Sequence, residues 1–89
     1  MAKMIEIDRD GPFISIYNAY DIRDKLKKQG FRFDGILKCW KKEIRSKDEL
    51  LTLCETLRGK EAKLLGGWFS KYSRQSVLDF FKKQGIKVE

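Results

Sequence analysis

The stretch that decides the fold is Lys27-Lys28-Gln29-Gly30-Phe31-Arg32-Phe33-Asp34, because it returns 55 residues later as Lys82-Lys83-Gln84-Gly85-Ile86-Lys87-Val88-Glu89. In both places a lysine pair and a glutamine close an amphipathic segment, a glycine follows, and an apolar-basic alternation begins. That is the signature of a helix ended by a left-handed glycine and running straight into a strand. Carried backwards at the same offset, the match continues: Asp24 with Asp79, Tyr17 with Tyr72, Ser15 with Ser70 and Gly11 with Gly66. Eight of the 24 positions from Gly11 to Asp34 are identical, so an internal repeat is expected over 11–34 and 66–89. Convergence of two junctions on one stop signal is the other explanation.

Each copy reads as strand, helix, strand. Phe13 to Tyr17 and Trp68 to Tyr72 are β-prone runs, each after a glycine, and Gly66-Gly67 reads as a hairpin turn. Asn18 and Ser73 stand at the N-cap position. Ile22 and Leu26 in one helix, and Val77, Leu78 and Phe81 in the other, fall on the inward stripe. Met4 to Asp8 and Glu61 to Leu65 are expected hairpin partners. Between the copies, Leu37 to Ile44 suits a strand. Ser46 with Glu49 has capping-box spacing. Leu50, Leu51, Leu53, Cys54 and Leu57 form the inward stripe of a helix ending near Gly59. The expected fold is α+β: one domain over 1–89, with a small, mostly antiparallel sheet and three helices on one face.

Charge is concentrated. The 89 residues carry a net charge of +7, with 20 basic and 13 acidic side chains and no histidine. Ten of the basic residues lie in the window Arg23 to Lys47, against three acids, and the rest of the chain balances. A basic zone on an otherwise neutral chain is an electrostatic footprint for a polyanion. The plainer reading is solvated lysines on helix and strand faces. The candidate nucleic-acid contacts are Arg23, Lys25, Lys27 and Lys28 on the first helix, and Arg32, Lys38, Trp40, Lys41, Lys42 and Arg45 around the following hairpin. The position of Trp40 depends on the loop after Asp34-Gly35. An even loop puts it on the face of Phe31 and Phe33, as core. An odd loop puts it beside Arg32 and the lysines, where it can stack on a base. Trp68, Phe69 and Tyr72 read as core or as a second aromatic patch, and Lys82 and Lys83 as a weaker basic one.

Catalysis is disfavoured. General acid–base work lacks its commonest residue, and neither Cys39 nor Cys54 has a histidine to activate it. Two cysteines make neither a disulfide framework nor a zinc site, so no metal or other cofactor is expected. Glu6, Asp8 and Asp10 are the one acidic set that could hold a cation, and their alternation is equally that of a solvated strand. No glycine-rich phosphate loop is present. Reduced thiols, no signal-peptide core at Met1 to Glu6 and no membrane-length apolar run point to the cytoplasm.

The order Gly30-Phe31-Arg32-Phe33-Asp34, a short loop, Lys38-Cys39-Trp40, a second strand, then a helix opening with Asp48-Glu49 resembles the small substrate-recognition domains of DNA-remodelling helicases. These are the HARP domain of annealing helicases and the damage-recognition domain of archaeal XPB-type helicases. The resemblance covers about a third of the chain and rests on Phe33, Asp34, Lys38, Trp40 and the helix that follows. It implies binding to branched or distorted DNA, with DNA favoured over RNA, and a helicase or other nucleic-acid enzyme as partner. With no motor motifs in the sequence, an accessory subunit or a free-standing relative is implied. An adaptor or inhibitor of such an enzyme is the alternative.

Overall fold

The computed structural model describes residues 4–88. The leader reading at 1–3 and the last residue of the expected repeat, Glu89, lie outside them. The chain runs β1 (Ile5–Asp10), β2 (Phe13–Tyr17), a 3-10 turn (Tyr20–Ile22), α1 (Arg23–Lys28), β3 (Arg32–Asp34) and β4 (Cys39–Glu43). It continues with α2 (Lys47–Leu57), β5 (Glu61–Leu64), a second 3-10 turn (Gly66–Phe69), α3 (Arg74–Lys83) and β6 (Lys87–Val88). The six strands form one mixed sheet in the order β3-β4-β2-β1-β5-β6. The first four are antiparallel, as expected, while β1, β5 and β6 are parallel to one another.

Strand alternation decides what each face of the sheet carries. Ile7, Ile14, Ile16, Ala62, Leu64 and Val88 point to one face. There they form a single buried cluster with Leu26 of α1, Leu53, Cys54 and Leu57 of α2, and Val77, Leu78 and Phe81 of α3. All three helices therefore lie on that face. Burying a Leu, Ile or Phe side chain contributes about 1.5–3 kcal/mol, which makes this cluster the main source of stability. Among the described residues the opposite face has no helix packed on it. Tyr17 lies there with the buried Cys39, and burial, followed by that neighbouring thiol, pushes the Tyr17 hydroxyl above its ordinary pKa.

The helix ends follow the sequence closely. Gly30 and Gly85 hold φ of +95° and +83°. In both junctions the next residue donates back to the third-last helical carbonyl, Phe31 N to Leu26 O and Ile86 N to Phe81 O. The glycines donate to Lys27 and Lys82. This is one Schellman-type stop used twice. Ser46 and Ser73 cap α2 and α3, accepting from the Glu49 and Ser76 amides.

At the 55-residue offset β1 falls with β5, α1 with α3 and β3 with β6, but this does not establish a duplicated unit: the second element does not recur, and β6 pairs parallel with β5 whereas β3 pairs antiparallel with β4. Trp68 to Tyr72 is not a strand, and Gly66-Gly67 is not a hairpin turn; residues 66–69 form a 3-10 turn. The reason is that β5 already has a neighbour on each edge, β1 and β6, so no ladder is left for a hairpin partner. The chain instead folds over β1. Gly67 sits against the Arg9 carbonyl, the indole N–H of Trp68 donates to Ile7 O at 3.1 Å, and the Trp68 ring packs edge-on against Phe81. Asn18 is likewise not a cap. It takes a left-handed φ of 60° and donates through Nδ2 to Met4 O, which leaves Ala19 to start the first 3-10 turn.

Candidate nucleic-acid interface

The β3–β4 hairpin settles the position of Trp40. Phe33 pairs with Trp40 and Asp34 with Cys39, so the connection is the four-residue loop 35–38. That even loop places Trp40 on the helix side with Phe33, its ring 5.3 Å from the Phe33 ring. Trp40 packs against the core cluster but is only half buried. β3 is an edge strand only three residues long, and Phe33 keeps 55% of its surface exposed. Trp40 is thus both the rim of the core and part of an open surface.

That surface is a groove of about 540 Å³ lined by Asn18, Ala19, Tyr20, Arg23, Lys27, Phe33, Lys38 and Trp40. Three aromatic rings and three cations meet in it. Tyr20 is 71% exposed. The Arg23 guanidinium lies 3.8 Å from the Tyr20 ring centre and donates to the Tyr20 carbonyl, which braces the ring. Lys27 Nζ stands 5.6 Å from the Trp40 ring centre, within cation–π reach. Lys38 holds φ at +57°, a left-handed conformation where glycine or asparagine would cost less. A long cation at such a position is the kind of local strain that gathers at functional sites.

The ten predicted contacts do not share one surface. Arg23, Lys27, Lys38 and Trp40 line the groove, while Lys25 and Lys28 are exposed on α1. Arg32 and Lys41 pair across β3 and β4 on the sheet's uncovered face, where Lys41 Nζ stands over the Phe13 ring at 5.2 Å. Lys42 turns to the helix side and forms a 3.3 Å ion pair with Glu49 of α2. Arg45 pairs with Glu43 at 3.1 Å. A strand sends neighbours to opposite faces, so a run of lysines along β4 cannot be one patch. Tyr20 was not among the sequence candidates. Its one signal is Arg23 three residues on, a spacing that brings side chains together on a helical turn.

The remaining chemistry-bearing groups are placed as follows. Cys39 and Cys54 are free, buried thiols on opposite sides of the sheet, and burial pushes Cys54 up to about 11. Glu6, Asp8 and Asp10 follow one another along a single face of β1. Asp8 Oδ1 accepts from the Arg9 and Gly67 amides, and no metal-holding group of three ligands occurs among the described residues. Trp68 is buried, Phe69 lies partly on the core, and Tyr72 is exposed. Lys82 and Lys83 are exposed at the end of α3. No helix among the described residues is long and apolar enough to cross a membrane. The chain matches no protein-family model, no curated protein sequence and no solved structure.

Proposed function

We propose that this chain is a nucleic-acid-binding module rather than an enzyme, and that the groove between α1 and the β3–β4 hairpin receives unpaired bases and their backbone. The observation that carries this is the meeting of Tyr20, Phe33 and Trp40 with Arg23, Lys27 and Lys38 in one open groove. Aromatic faces stack on any base, and adjacent cations follow the phosphates, so a site of this kind binds without strong sequence preference. Such stacking contributes about 1–3 kcal/mol per base. The resemblance of Phe31 to Leu57 to helicase recognition domains supports the same reading and favours DNA over RNA. On that basis the protein works in the cytoplasm as an accessory to a helicase or another nucleic-acid enzyme, selecting structure rather than sequence.

The test is a fluorescence titration with a single-stranded oligonucleotide at low and moderate salt. Trp40, half buried at the groove, is the reporter, since Trp68 is only 4% exposed. Quenching that weakens as salt rises is the expected result. Absence of binding to DNA and RNA at low ionic strength would overturn the proposal. It would favour the adaptor alternative, for which the short, open edge of β3 is the feature at hand.

A further inference from the structure

The tip of the β3–β4 hairpin is apolar where a surface turn is ordinarily polar. Ile36 is 93% exposed and Leu37 50% exposed, side by side between Gly35 and Lys38. Singly exposed aliphatics are common, but an adjacent pair at the most prominent point of a hairpin, joined to the groove through Lys38 and Phe33, is not expected of a merely solvated turn. The tip is also held firmly. The Asp34 carboxylate accepts from the Ile36 amide at 2.9 Å and the Leu37 amide at 3.0 Å, and the Lys38 amide donates to the Asp34 carbonyl at 2.7 Å. A turn fixed in advance loses little conformational freedom on insertion into a partner. Lys38 stands at its base, Arg23 and Lys27 line the adjoining groove, and Lys41 acts on the Asp34 carboxylate that holds the tip. The occupant must therefore combine an apolar surface with an adjoining line of negative charge. The end of a base-paired segment, where the last pair exposes its stacked face and phosphates continue on the unpaired strand, has both.

We propose that Ile36 and Leu37 form a wedge that abuts or enters the terminal base pair of a duplex while the unpaired continuation of one strand lies in the Tyr20–Phe33–Trp40 groove. This rests on the groove reading and adds a substrate class to it: a single strand adjoining a duplex. Aliphatic wedges that part base steps are an established way for proteins to engage DNA, and the unpaired bases beyond that step stack in the groove.

The probe is a DNA strand annealed over half its length, with a fluorescent adenine analogue in the terminal pair, compared with the same strand unannealed. The wild-type chain should bind the half-duplex about five- to tenfold tighter than the single strand, and the analogue should brighten as its stacking is lost. The double variant Ile36→Ser, Leu37→Ser touches no core position, and circular dichroism checks that it folds. It should bind the single strand as the wild type does and lose both the preference and the brightening. Equal wild-type affinity for the two probes, or a preference that survives in the variant, overturns the wedge and leaves the groove reading standing. Failure to bind the single strand at all overturns both. Retention on anionic lipid vesicles that the two serines abolish, with no half-duplex preference, assigns the tip to a membrane surface and also overturns the wedge.

Discussion

Two adjacent glycines should respond to alanine in opposite ways. A Cβ built on Gly67 stands 1.7 Å from the Arg9 carbonyl oxygen, and 2.8 Å from both the Arg9 carbonyl carbon and Asp8 Oδ1. Ordinary contact begins at 3.4 Å, so the 3-10 turn must withdraw from β1 by about half that distance. Withdrawal opens the 3.3 Å bond from the Gly67 amide to Asp8 and the 3.1 Å bond from the Trp68 indole to Ile7 O. Leaving the buried indole N–H without an acceptor costs about 1–3 kcal/mol. Displacing Trp68 from its fit against Phe81 costs about as much again, in the range for a strained core. A loss of about 2–6 kcal/mol is expected, against a total near 4–13 kcal/mol for a chain of this length. At Gly66 a Cβ meets nothing within 4 Å and φ is not in the left-handed region, so Gly66→Ala should leave stability unchanged or raise it by about 0.4–1 kcal/mol. Urea unfolding of both variants, followed by far-ultraviolet circular dichroism, is the assay. A Gly67→Ala variant within about 1 kcal/mol of wild type, or equal damage at Gly66, would refute the account of how the second 3-10 turn replaces a strand.

Other expectations concern single groups. Burial holds the Cys54 thiol neutral up to about pH 11, so iodoacetamide should label it only after denaturation; labelling of the native protein at the unfolded rate would contradict this. The Leu37 and Ile36 amides, and then Lys41, hold the Asp34 carboxyl below its ordinary value of 3.8. A depressed pKa supports the turn above the unfolded value and stops supporting it as pH falls through the folded one. The Ile36 and Leu37 amide resonances should therefore titrate with a midpoint under 3.8, and a midpoint at or above it would show that the carboxylate does not hold the tip. Lys38→Gly relieves a left-handed lysine and should raise stability by up to about 1 kcal/mol while weakening oligonucleotide binding. Unchanged affinity in that variant would remove Lys38 from the groove's working residues.

What the sequence disclosed was what short-range chemistry decides. Gly30 and Gly85 end helices through bonds between residues five apart, and Ser46 and Ser73 cap through bonds between residues three apart, so the spacing on the page was enough. The inward stripes of all three helices were legible for the same reason, save Leu51, which is half buried and lies outside the core cluster. What stayed closed was long-range. Trp68 looks like a strand residue until β6 is known to occupy the free edge of β5, a pairing 26 residues apart. The match of Trp68 with Phe13 at the 55-residue offset reinforced that mistaken expectation. The position of Trp40 turned on whether the loop after Asp34 held an even or an odd number of residues, and both lengths suited Gly35 and its neighbours. Tyr20 was hidden because a lone tyrosine beside a helix start says nothing until Phe33 and Trp40 are brought beside it.

The charge run between Arg23 and Lys47 carries the same lesson to function, and it can be measured. Read along the chain it suggests ten cations on one anion. The sheet divides them: Arg32 and Lys41 face away from the helices, Lys42 is bound to Glu49, Arg45 to Glu43, and three cations line the groove. Each phosphate neutralised on a single strand adds about 0.7 to the slope of log affinity against log salt. Groove-only binding then gives a slope near −2, whereas engagement of all ten cations gives about −7. A value near −2 that falls toward about −1.4 in Lys27→Gln places the strand between α1 and the hairpin. A much steeper slope that Lys27→Gln barely changes, and Arg32→Gln with Lys41→Gln lowers, places it on the uncovered face of the sheet instead. In that case the three aromatic rings are not where the bases go, and the reason to prefer the helix side is lost.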